Sequence, residues 1–300
     1  MTSPLVTVVI PSHNHEKYLT EAINSVLAQN YPAIELIVID DGSTDRSPQI
    51  IQALQQHGNF TYIRNQNKGL IATLKQALAI AEGEFFCQLA SDDYLSSDSI
   101  SRRVEKLSAN TNCVAVYTDA YSVDGNIVTQ RKITRDRLKR MYASDDPIPH
   151  ILNGARPIFA TGLFRTSALR AIEAFDIDTF RYYEDLDTPI LLLTRGKLNY
   201  IDEPLFFRRT HDTNVSGTTT HIRPEKVKCH QKLLANPELA AYHPLLLKHL
   251  KRSYLELARS ISSAKGKMQE ERSLLSTGWK YALGDIRLLF HLVANRLRKQ

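Results

Sequence analysis

Residues 84–94 read EFFCQLASDDY, an apolar run that ends abruptly in two adjacent carboxylates, Asp92 and Asp93. Five of the six residues from Phe85 to Ala90 are apolar or cysteine, which predicts a strand covered on both faces. In an open α/β sheet the ligand crevice lies just outside the carboxyl ends of such strands. The pattern therefore places Asp92 and Asp93 at a ligand crevice.

This segment alone leaves two explanations of the acidic pair open. Adjacent carboxylates repel each other, and they stay ionised only where water, a cation or hydrogen-bond donors compensate them. A hard divalent cation that carries a diphosphate is one such compensator. The other explanation is a helix cap, because Ser96, Ser97 and Asp98 follow and aspartate is common before helices.

The chain around this stretch alternates predicted strands with predicted helices. Apolar or β-branched runs occupy residues 7–11, 34–40, 60–64 and 113–119, and helical periodicity occupies residues 16–29, 70–81 and 100–107. Such alternation is typical of parallel βαβ units. We predict an α/β fold with a mostly parallel, doubly wound sheet flanked by helices.

The last part of the chain has a different composition. From Pro224 onward the pattern is helical, and residues 222–300 hold 16 Lys/Arg against 6 Asp/Glu. We therefore predict a catalytic domain at residues 1–221 and a basic α-helical C-terminal region at residues 222–300. Residues 276–300 are amphipathic and basic. They could pack against the rest of the protein or against a partner subunit, or they could lie on the surface of an anionic membrane.

The composition also indicates the cellular compartment in which the protein is expected. Three scattered cysteines are too few for a disulfide framework, which favours a reducing compartment. Neither a secretory leader nor an apolar run of membrane-spanning length is recognisable. The expected location is the cytoplasm, with peripheral contact at the cytoplasmic face of the membrane as an option, and no nucleic-acid partner is expected.

Polar clusters follow three of the predicted strands, at residues 11–14, 40–45 and 91–93. In a parallel sheet these clusters would converge on one crevice. Neither the G-x-G-x-x-G fingerprint nor a P-loop follows the first strand, which argues against a dinucleotide-dependent dehydrogenase or a P-loop enzyme. A phosphate site without a glycine cradle can use a metal held by carboxylates instead.

Six short motifs together resemble the family 2 inverting glycosyltransferases, which have the GT-A fold. The resemblance covers about residues 5–220, and the motifs occur in the family's order: Val8-Val9-Ile10-Pro11, Ile39 to Asp45, Asn67-Lys68-Gly69, Ser91-Asp92-Asp93, Glu184-Asp185 and Arg209-Thr210-His211. It implies a metal-dependent enzyme that moves a sugar from a nucleoside-diphosphate donor, most commonly a UDP-sugar, to a hydroxyl of a glycan or glycolipid acceptor. Assembly of a polysaccharide or glycolipid is the expected setting.

The resemblance also implies a role for each motif residue. Asp185 would be the base, with Glu184 beside it, and Asp93 and His211 would hold Mn²⁺ or Mg²⁺. Ser91 stands where the family often has aspartate. The donor nucleotide and its sugar would contact Pro11, Ser12, Asn14, Asp41, Arg64, Asn67, Lys68, Gly69, Ser91 and Asp92.

Two other functions fit parts of the sequence. A catalytically silent GT-A-fold protein could bind carbohydrate or a partner, but the intact Asp92-Asp93 pair, Asp185 and His211 argue against it. A nucleotidyltransferase would share the sheet and the metal, but its glycine-rich opening loop is absent. The C-terminal helices could also mediate a homo-oligomer.

Overall fold

The computed structural model describes residues 3–125, 127–179, 185–211, 222–263 and 275–281. They belong to two compact units, Met1–Asn214 and Val215–Gln300. The predicted boundary after residue 221 falls in a segment outside the described residues and stays a prediction.

The first half of the larger unit is a run of βα units that forms a parallel sheet with the strand order β3-β2-β1-β4. β1, β2 and β4 are mostly apolar and largely buried, which suits cover on both faces, whereas the edge strand β3 is half-exposed. The elements are β1 (Val6–Ser12), α1 (Leu19–Leu27), β2 (Ile34–Asp40), α2 (Ser47–Gln55), β3 (Thr61–Arg64), α3 (Leu70–Ile80) and β4 (Phe85–Gln88).

The second half extends the same sheet with mixed pairing, in the order β4-β8-β6-β9-β5. β8 is antiparallel to β4 and β6, β9 is parallel to β6, and β7 and β5 are antiparallel to β6 and β9. The elements are β5 (Tyr94–Leu95), α4 (Ser99–Ser108), β6 (Cys113–Asp124), β7 (Ile127–Lys132), α5 (Asp136–Tyr142), α6 (Ile148–Leu152), β8 (Gly162–Arg165), α7 (Thr166–Ala171), α8 (Asp187–Leu192) and β9 (Lys197–Thr210).

The pairing of β9 with β5 matters for the site. Tyr94 lies opposite Phe207 and Leu95 opposite Phe206, and the rings of Tyr94 and Phe207 stack at 4.6 Å. The end of β9 is therefore held beside the acidic pair, Asp92 and Asp93, in the loop that follows β4.

The core of this unit joins the sheet to α1 and α4. Completely buried side chains come from β1, α1 and α4, among them Val8, Leu19 and Ile100. Burying each such side chain stabilises the fold by about 1.5–3 kcal/mol. The core thus fixes the strand ends, from which the polar clusters emerge.

The described part of the C-terminal unit is helical, as predicted. It contains α9 (Ile222–Ala235), α10 (His243–Ser263) and two short 3₁₀ helices, Pro237–Tyr242 and Gly278–Tyr281. Its core consists of Val227, Leu250, Tyr254, Leu257, Ala258 and Leu275. Within the described ranges, no helix has the length and apolar character needed to cross a bilayer. Of the segment proposed for membrane contact, residues 282–300 lie outside the described residues.

Candidate active site

The loops after β1 and β2 hold each other at the carboxyl edge of the sheet. Asn14 has a φ of 57°, a left-handed conformation that asparagine adopts more readily than most residues. Its backbone N–H donates to Ser43 Oγ at 2.9 Å, and its side-chain oxygen accepts from the Thr44 N–H at 2.8 Å. The turn after β2 is therefore clamped against the end of β1.

Asp41 ties the β2 loop to the start of α3. Its two carboxylate oxygens accept hydrogen bonds from the backbone N–H groups of Lys68 (2.9 Å) and Gly69 (2.8 Å). Gly69 has a φ of 90°, which glycine adopts without a Cβ penalty. An anion at a helix N-terminus is stabilised by the exposed N–H groups there. Asp41 therefore shapes the loop of Asn67 to Gly69, and a bound base can use only the remaining lone pairs of its oxygens.

His13, which was not among the predicted site residues, joins three of these loops. Its Nδ1 lies 3.0 Å from the carbonyl oxygen of Asp41, and its Nε2 lies 3.3 Å from the side-chain amides of Asn14 and Asn67. Because a carbonyl can only accept, Nδ1 carries the proton and Nε2 accepts from the amides. A histidine in a loop has no pattern around it that could have revealed this role.

The other predicted donor residues lie at the same edge. Pro11 and Ser12 end β1, and the Ser12 hydroxyl is buried with no hydrogen-bond partner within the described ranges. Arg64 ends β3, with its Nε 3.4 Å from Asp40 Oδ2. Lys68 is exposed. The strand ends thus bring the predicted donor residues together.

Asp92 forms a compact group with two histidines. One ligand atom each of His15, Asp92 and His211 lies within 4.8 Å of the others, and His211 Nε2 is 3.0 Å from Asp92 Oδ2. Ser91 Oγ lies 2.7 Å from His15 Nδ1, so the serine orients the His15 ring. His15 was not predicted, because the contact joins loops 76 residues apart.

Burial determines the protonation of His15, and a ring contact positions His211. Burial lowers the pKa of His15, and the carboxylate of Asp92 opposes this only in part. The His15 ring is therefore neutral at physiological pH and keeps a lone pair. The ring of Tyr18 stacks on His211 with centroids 4.9 Å apart, which holds His211 in place.

Asp93 lies outside this group, although it was predicted to hold the cation together with His211. Its Oδ1 accepts a hydrogen bond from the backbone N–H of Arg209 at 2.8 Å. Burial, together with the neighbouring charge of Asp92, raises its pKa well above the ordinary aspartate value. The structure therefore places Asp92, and not Asp93, beside His211, because Asp93 Oδ1 is engaged by the backbone of β9. The assignment of Asp93 to the cation stays a prediction.

Arg209 fastens the end of β9 to the acidic pair. Its Nε donates to the carbonyl oxygen of Asp92 at 3.0 Å, and its Nη2 pairs with Glu21 of α1. The guanidinium also lies 5.1 Å from the ring centroids of both Tyr18 and Tyr94, a distance at which cation–π attraction acts. This network sets the position from which His211 reaches Asp92.

Asp185 is the predicted base, and it is half-buried in the second half of the unit. Its Oδ1 accepts a hydrogen bond from the backbone N–H of Phe159 at 3.0 Å. Burial raises its pKa, while that bond and the charges of Arg156 and Arg208 act in the opposite direction. The buried Tyr117 also interacts electrostatically with Asp185. Glu184 lies outside the described residues.

This arrangement provides two kinds of chemistry. The group of His15, Asp92 and His211 offers two imidazole nitrogens and one carboxylate, a set that can hold a divalent cation. Asp185, with its raised pKa, can accept a proton more readily than an exposed aspartate. Of the fourteen predicted site residues, Glu184 alone lies outside the part of the chain that the structure describes.

A family comparison agrees with the motifs on which this geometry depends. The family described as "Glycosyl transferase family 2" matches residues 7–170, which include the three polar strand ends, α5 and α6. The chain belongs to glycosyl transferase family 2. It is a glycosyltransferase, as the sequence predicted.

Relatives of this glycosyltransferase carry the same class of name. The chain is 29% identical over 221 residues to an uncharacterised glycosyltransferase of Rickettsia typhi, covering 72% of this chain and 67% of that protein. It is 25% identical over 294 residues to the poly(ribitol-phosphate) β-N-acetylglucosaminyltransferase TarS of Staphylococcus aureus, covering 93% of this chain and 48% of TarS. It is 31% identical over 225 residues to chondroitin synthase of Escherichia coli, covering 74% of this chain and 31% of that enzyme. The chain thus spans from a third to two thirds of these relatives.

Solved structures confirm the predicted GT-A fold. TarS residues 1–349 superpose with a TM-score of 0.65 at 20% identity, covering 96% of this chain and 81% of that one. The mannosyltransferase PcManGT of Pyrobaculum calidifontis superposes with a TM-score of 0.61 at 18% identity, covering 99% of this chain and 87% of that one. At these identities the likeness concerns the fold alone.

Proposed function

We propose that this glycosyltransferase moves a sugar from a nucleoside-diphosphate donor to an acceptor hydroxyl, in one displacement that inverts the anomeric centre and depends on a divalent cation. One observation carries the proposal: His15, Asp92 and His211 meet at the strand ends that also carry the predicted nucleotide residues. Two structural neighbours support it, since TarS was solved with UDP and with UDP-GlcNAc, and PcManGT with GDP-Man and Mn²⁺.

The spacing of the three side chains fits a cation. His211 Nε2 and Asp92 Oδ2 lie 3.0 Å apart, and one ligand atom of each of the three residues lies within 4.8 Å of the others. A cation held by Asp92 and His211 would take the place of the hydrogen bond between them. Two of the three groups are imidazoles, whereas Mg²⁺ prefers oxygen ligands. We therefore favour Mn²⁺ over Mg²⁺, held by Asp92 and His211 with His15 beside them. When bound, such a cation would neutralise charge on the departing diphosphate.

The interlocked loops would bind the nucleotide. Base and ribose would lie between the end of β1, at Pro11 and Ser12, and the loop of Asn67 to Gly69, with Asp41 holding that loop in shape. The unpaired Ser12 hydroxyl and the exposed Lys68 are groups that a ribose or a phosphate could engage. A uridine donor is proposed first, because TarS was solved with UDP.

Asp185 would act as the general base. It would accept the proton of the acceptor hydroxyl while the acceptor oxygen attacks the anomeric carbon and the diphosphate leaves from the opposite side. A backbone N–H and two arginines near it keep its charged form accessible, and its burial favours the protonated product state. Glu184, its neighbour in sequence, is proposed to assist.

We place the reaction in polysaccharide or glycolipid assembly in the cytoplasm, in keeping with the names of TarS and chondroitin synthase. Peripheral membrane contact through residues 276–300, and a homo-oligomer through the C-terminal helices, remain proposals. Their first test is vesicle sedimentation and molar mass with and without residues 279–300.

A thermal-shift screen of nucleotide sugars with and without Mn²⁺ tests the proposal. A ligand that binds only the native state raises the melting temperature according to its affinity. We expect one donor to raise it only when Mn²⁺ is present, and that donor to release its nucleoside diphosphate when an acceptor is added. Shifts that are equal without Mn²⁺ would contradict metal dependence. Binding without turnover on any acceptor would favour the silent carbohydrate-binding alternative.

A further inference from the structure

A cavity of about 180 Å³ lies against α5 and α6. The described side chains that line it are Arg137, Arg140, Pro149, His150, Asn153 and Ala155, and none of them belongs to the donor or cation groups above. A water molecule occupies about 30 Å³ in the liquid, so the cavity accommodates a group several times larger. The lining combines two cations with no carboxylate among the described residues.

The two arginines are the cations of α5 that remain available. Arg137 and Arg140 are three residues apart on one helix, so they lie on the same face. Lys139, the other basic residue of this stretch, already donates to Asp202 at 2.8 Å, and Lys132 donates to the same carboxylate at 2.8 Å. Within the described ranges, neither Arg137 nor Arg140 forms an ion pair. Two guanidinium groups therefore border one cavity without a counter-ion there.

We propose that this cavity binds a phosphate group of the acceptor, which makes the acceptor a phosphate-bearing or phosphate-linked glycan. The inference rests on the proposed sugar transfer and narrows its acceptor. A guanidinium offers a planar fork of donors that matches phosphate oxygens. His150 of α6 and Asn153, the residue after α6, add polar groups to the lining, and a tetrahedral phosphate uses donors from several directions better than a planar carboxylate does.

The chain connects this cavity directly to the base. Asn153 and Ala155 line the cavity, the next residue, Arg156, acts on the charge of Asp185, and the N–H of Phe159 donates to Asp185. Four residues span at most about 14 Å, which limits the separation of Ala155 and Phe159. A phosphate in the cavity is therefore close enough to orient a hydroxyl of the same acceptor toward Asp185.

Titration calorimetry with glycerol 1-phosphate tests the cavity. The enzyme is first saturated with UDP and Mn²⁺, so that the donor site is occupied. We expect the wild type to bind the phosphate ester, and the double variant Arg137→Gln/Arg140→Gln to bind it at least tenfold more weakly. Arg135→Gln is the matched control, since Arg135 is an exposed arginine that precedes α5 and does not line the cavity; it should bind like the wild type. Equal affinity in all three proteins, or no binding by the wild type, would overturn the proposal.

A charge-preserving variant separates the contribution of guanidinium hydrogen bonding from the contribution of positive charge. Arg137→Lys/Arg140→Lys should bind the ester with intermediate affinity, and it serves in place of the glutamine variant if that one does not fold. Sedimentation with phosphatidylglycerol vesicles, compared with phosphatidylcholine vesicles, identifies the source of the phosphate. Weaker sedimentation of the double variant assigns the cavity to a lipid-linked phosphate, and unchanged sedimentation with lost ester binding assigns it to a phosphate of the glycan.

Donor binding distinguishes this inference from the proposed function. The double variant should bind UDP with Mn²⁺ as the wild type does, and it should hydrolyse the nucleotide sugar at the same rate in the absence of an acceptor. If the wild type bound no nucleotide, the proposed function would fail. The ester titration of the unsaturated enzyme would then still decide whether the cavity binds phosphate.

Discussion

The two halves of the catalytic sheet hold their functional side chains in different ways. In the parallel half the contacts join neighbouring loops, such as Asn14 with Thr44 and Asp41 with Lys68, which are 30 and 27 residues apart. In the mixed half they join distant parts of the chain. Arg209 reaches Asp93 over 116 residues, and His211 reaches Asp92 over 119.

This difference separates two tasks. The parallel half builds a nucleotide cradle from consecutive βα units, each of which brings one loop to the same edge. The mixed half returns the chain to that edge through β9 and adds His211, while the segment before β8 holds Asp185. We therefore expect changes at Asp185 to affect transfer but not donor binding, and changes at Asp92 to affect donor binding first.

The largest effect is expected from Asp185→Asn. The amide cannot accept the acceptor proton, and loss of a general base lowers rates by about 10²–10⁴-fold. Steady-state measurement of kcat should show this loss, while calorimetry should show UDP affinity with Mn²⁺ within about twofold of the wild type. Turnover at the wild-type rate would show that Asp185 is not the base. Loss of UDP binding would contradict the claim that the parallel half binds the donor independently of Asp185.

The next largest effect is expected from a comparison of alanine variants of the two neighbouring acids, Asp92 and Asp93. Asp92→Ala should weaken Mn²⁺-dependent UDP binding at least about tenfold, the lower end of what even supporting residues of metal sites contribute. Asp93→Ala should leave UDP binding within a few-fold, but it strands the buried N–H of Arg209 and should lower the free energy of unfolding by about 1–3 kcal/mol. Calorimetry and urea denaturation measure the two quantities.

Asp93→Asn is the control for this pair. The amide oxygen of asparagine can still accept from the Arg209 N–H, so this variant should be more stable than Asp93→Ala. If Asp93→Ala, and not Asp92→Ala, removed the Mn²⁺ dependence, the original assignment of Asp93 to the cation would be right.

A smaller effect concerns pH. Burial raises the pKa of Asp185, so its protonated, inactive form persists to higher pH and the acid limb of kcat/KM should lie above the usual aspartate range. The charge of Arg156 opposes that shift. Arg156→Gln should therefore move the acid limb to still higher pH, as measured by a pH profile of kcat/KM. A limb that stayed in place or moved down would contradict the electrostatic role of Arg156.

The smallest effect is expected at the surface of the mixed half. Hydrogen bonds from Lys132 and Lys139 lower the pKa of Asp202 to about 2. A depressed pKa contributes stability above the unfolded value near 4, and this contribution is lost as pH falls toward 2. Asp202→Asn should lower the free energy of unfolding by less than about 1 kcal/mol at neutral pH, and the difference from the wild type should shrink in acid. A constant difference over that range would exclude the ionic contribution.

The fold and the donor edge could be predicted because their signals are local. Apolar runs closed by polar clusters identify the strands and their carboxyl ends, and the parallel order makes those ends converge. Ser12, Asn14 and Asp41 were placed correctly at this edge by that reasoning alone. Their individual contacts were not predictable, because a motif does not specify which neighbour each oxygen will meet.

The rest depended on pairings over long distances. Asp92 and Asp93 follow the same strand and are both buried. Only the positions of the Arg209 N–H and of His211 decide which partner each carboxylate meets. His15 gained its role through Ser91 and His211, which no spacing in the sequence connects to it. The cavity beside α5 was also unpredictable. It requires Lys139 to pair with Asp202 while Arg137 and Arg140 form no ion pair with any residue that the structure describes.

The central claim is that Asp92 and His211 hold the cation of the donor site, with Asp93 reserved for the backbone of β9. An anomalous difference map from crystals grown with UDP and Mn²⁺ tests it most directly. The account predicts one manganese peak coordinated by the carboxylate of Asp92 and the imidazole of His211, with the hydrogen bond from Arg209 to Asp93 intact. A peak coordinated by Asp93, with Asp92 turned away from the ion, would contradict it.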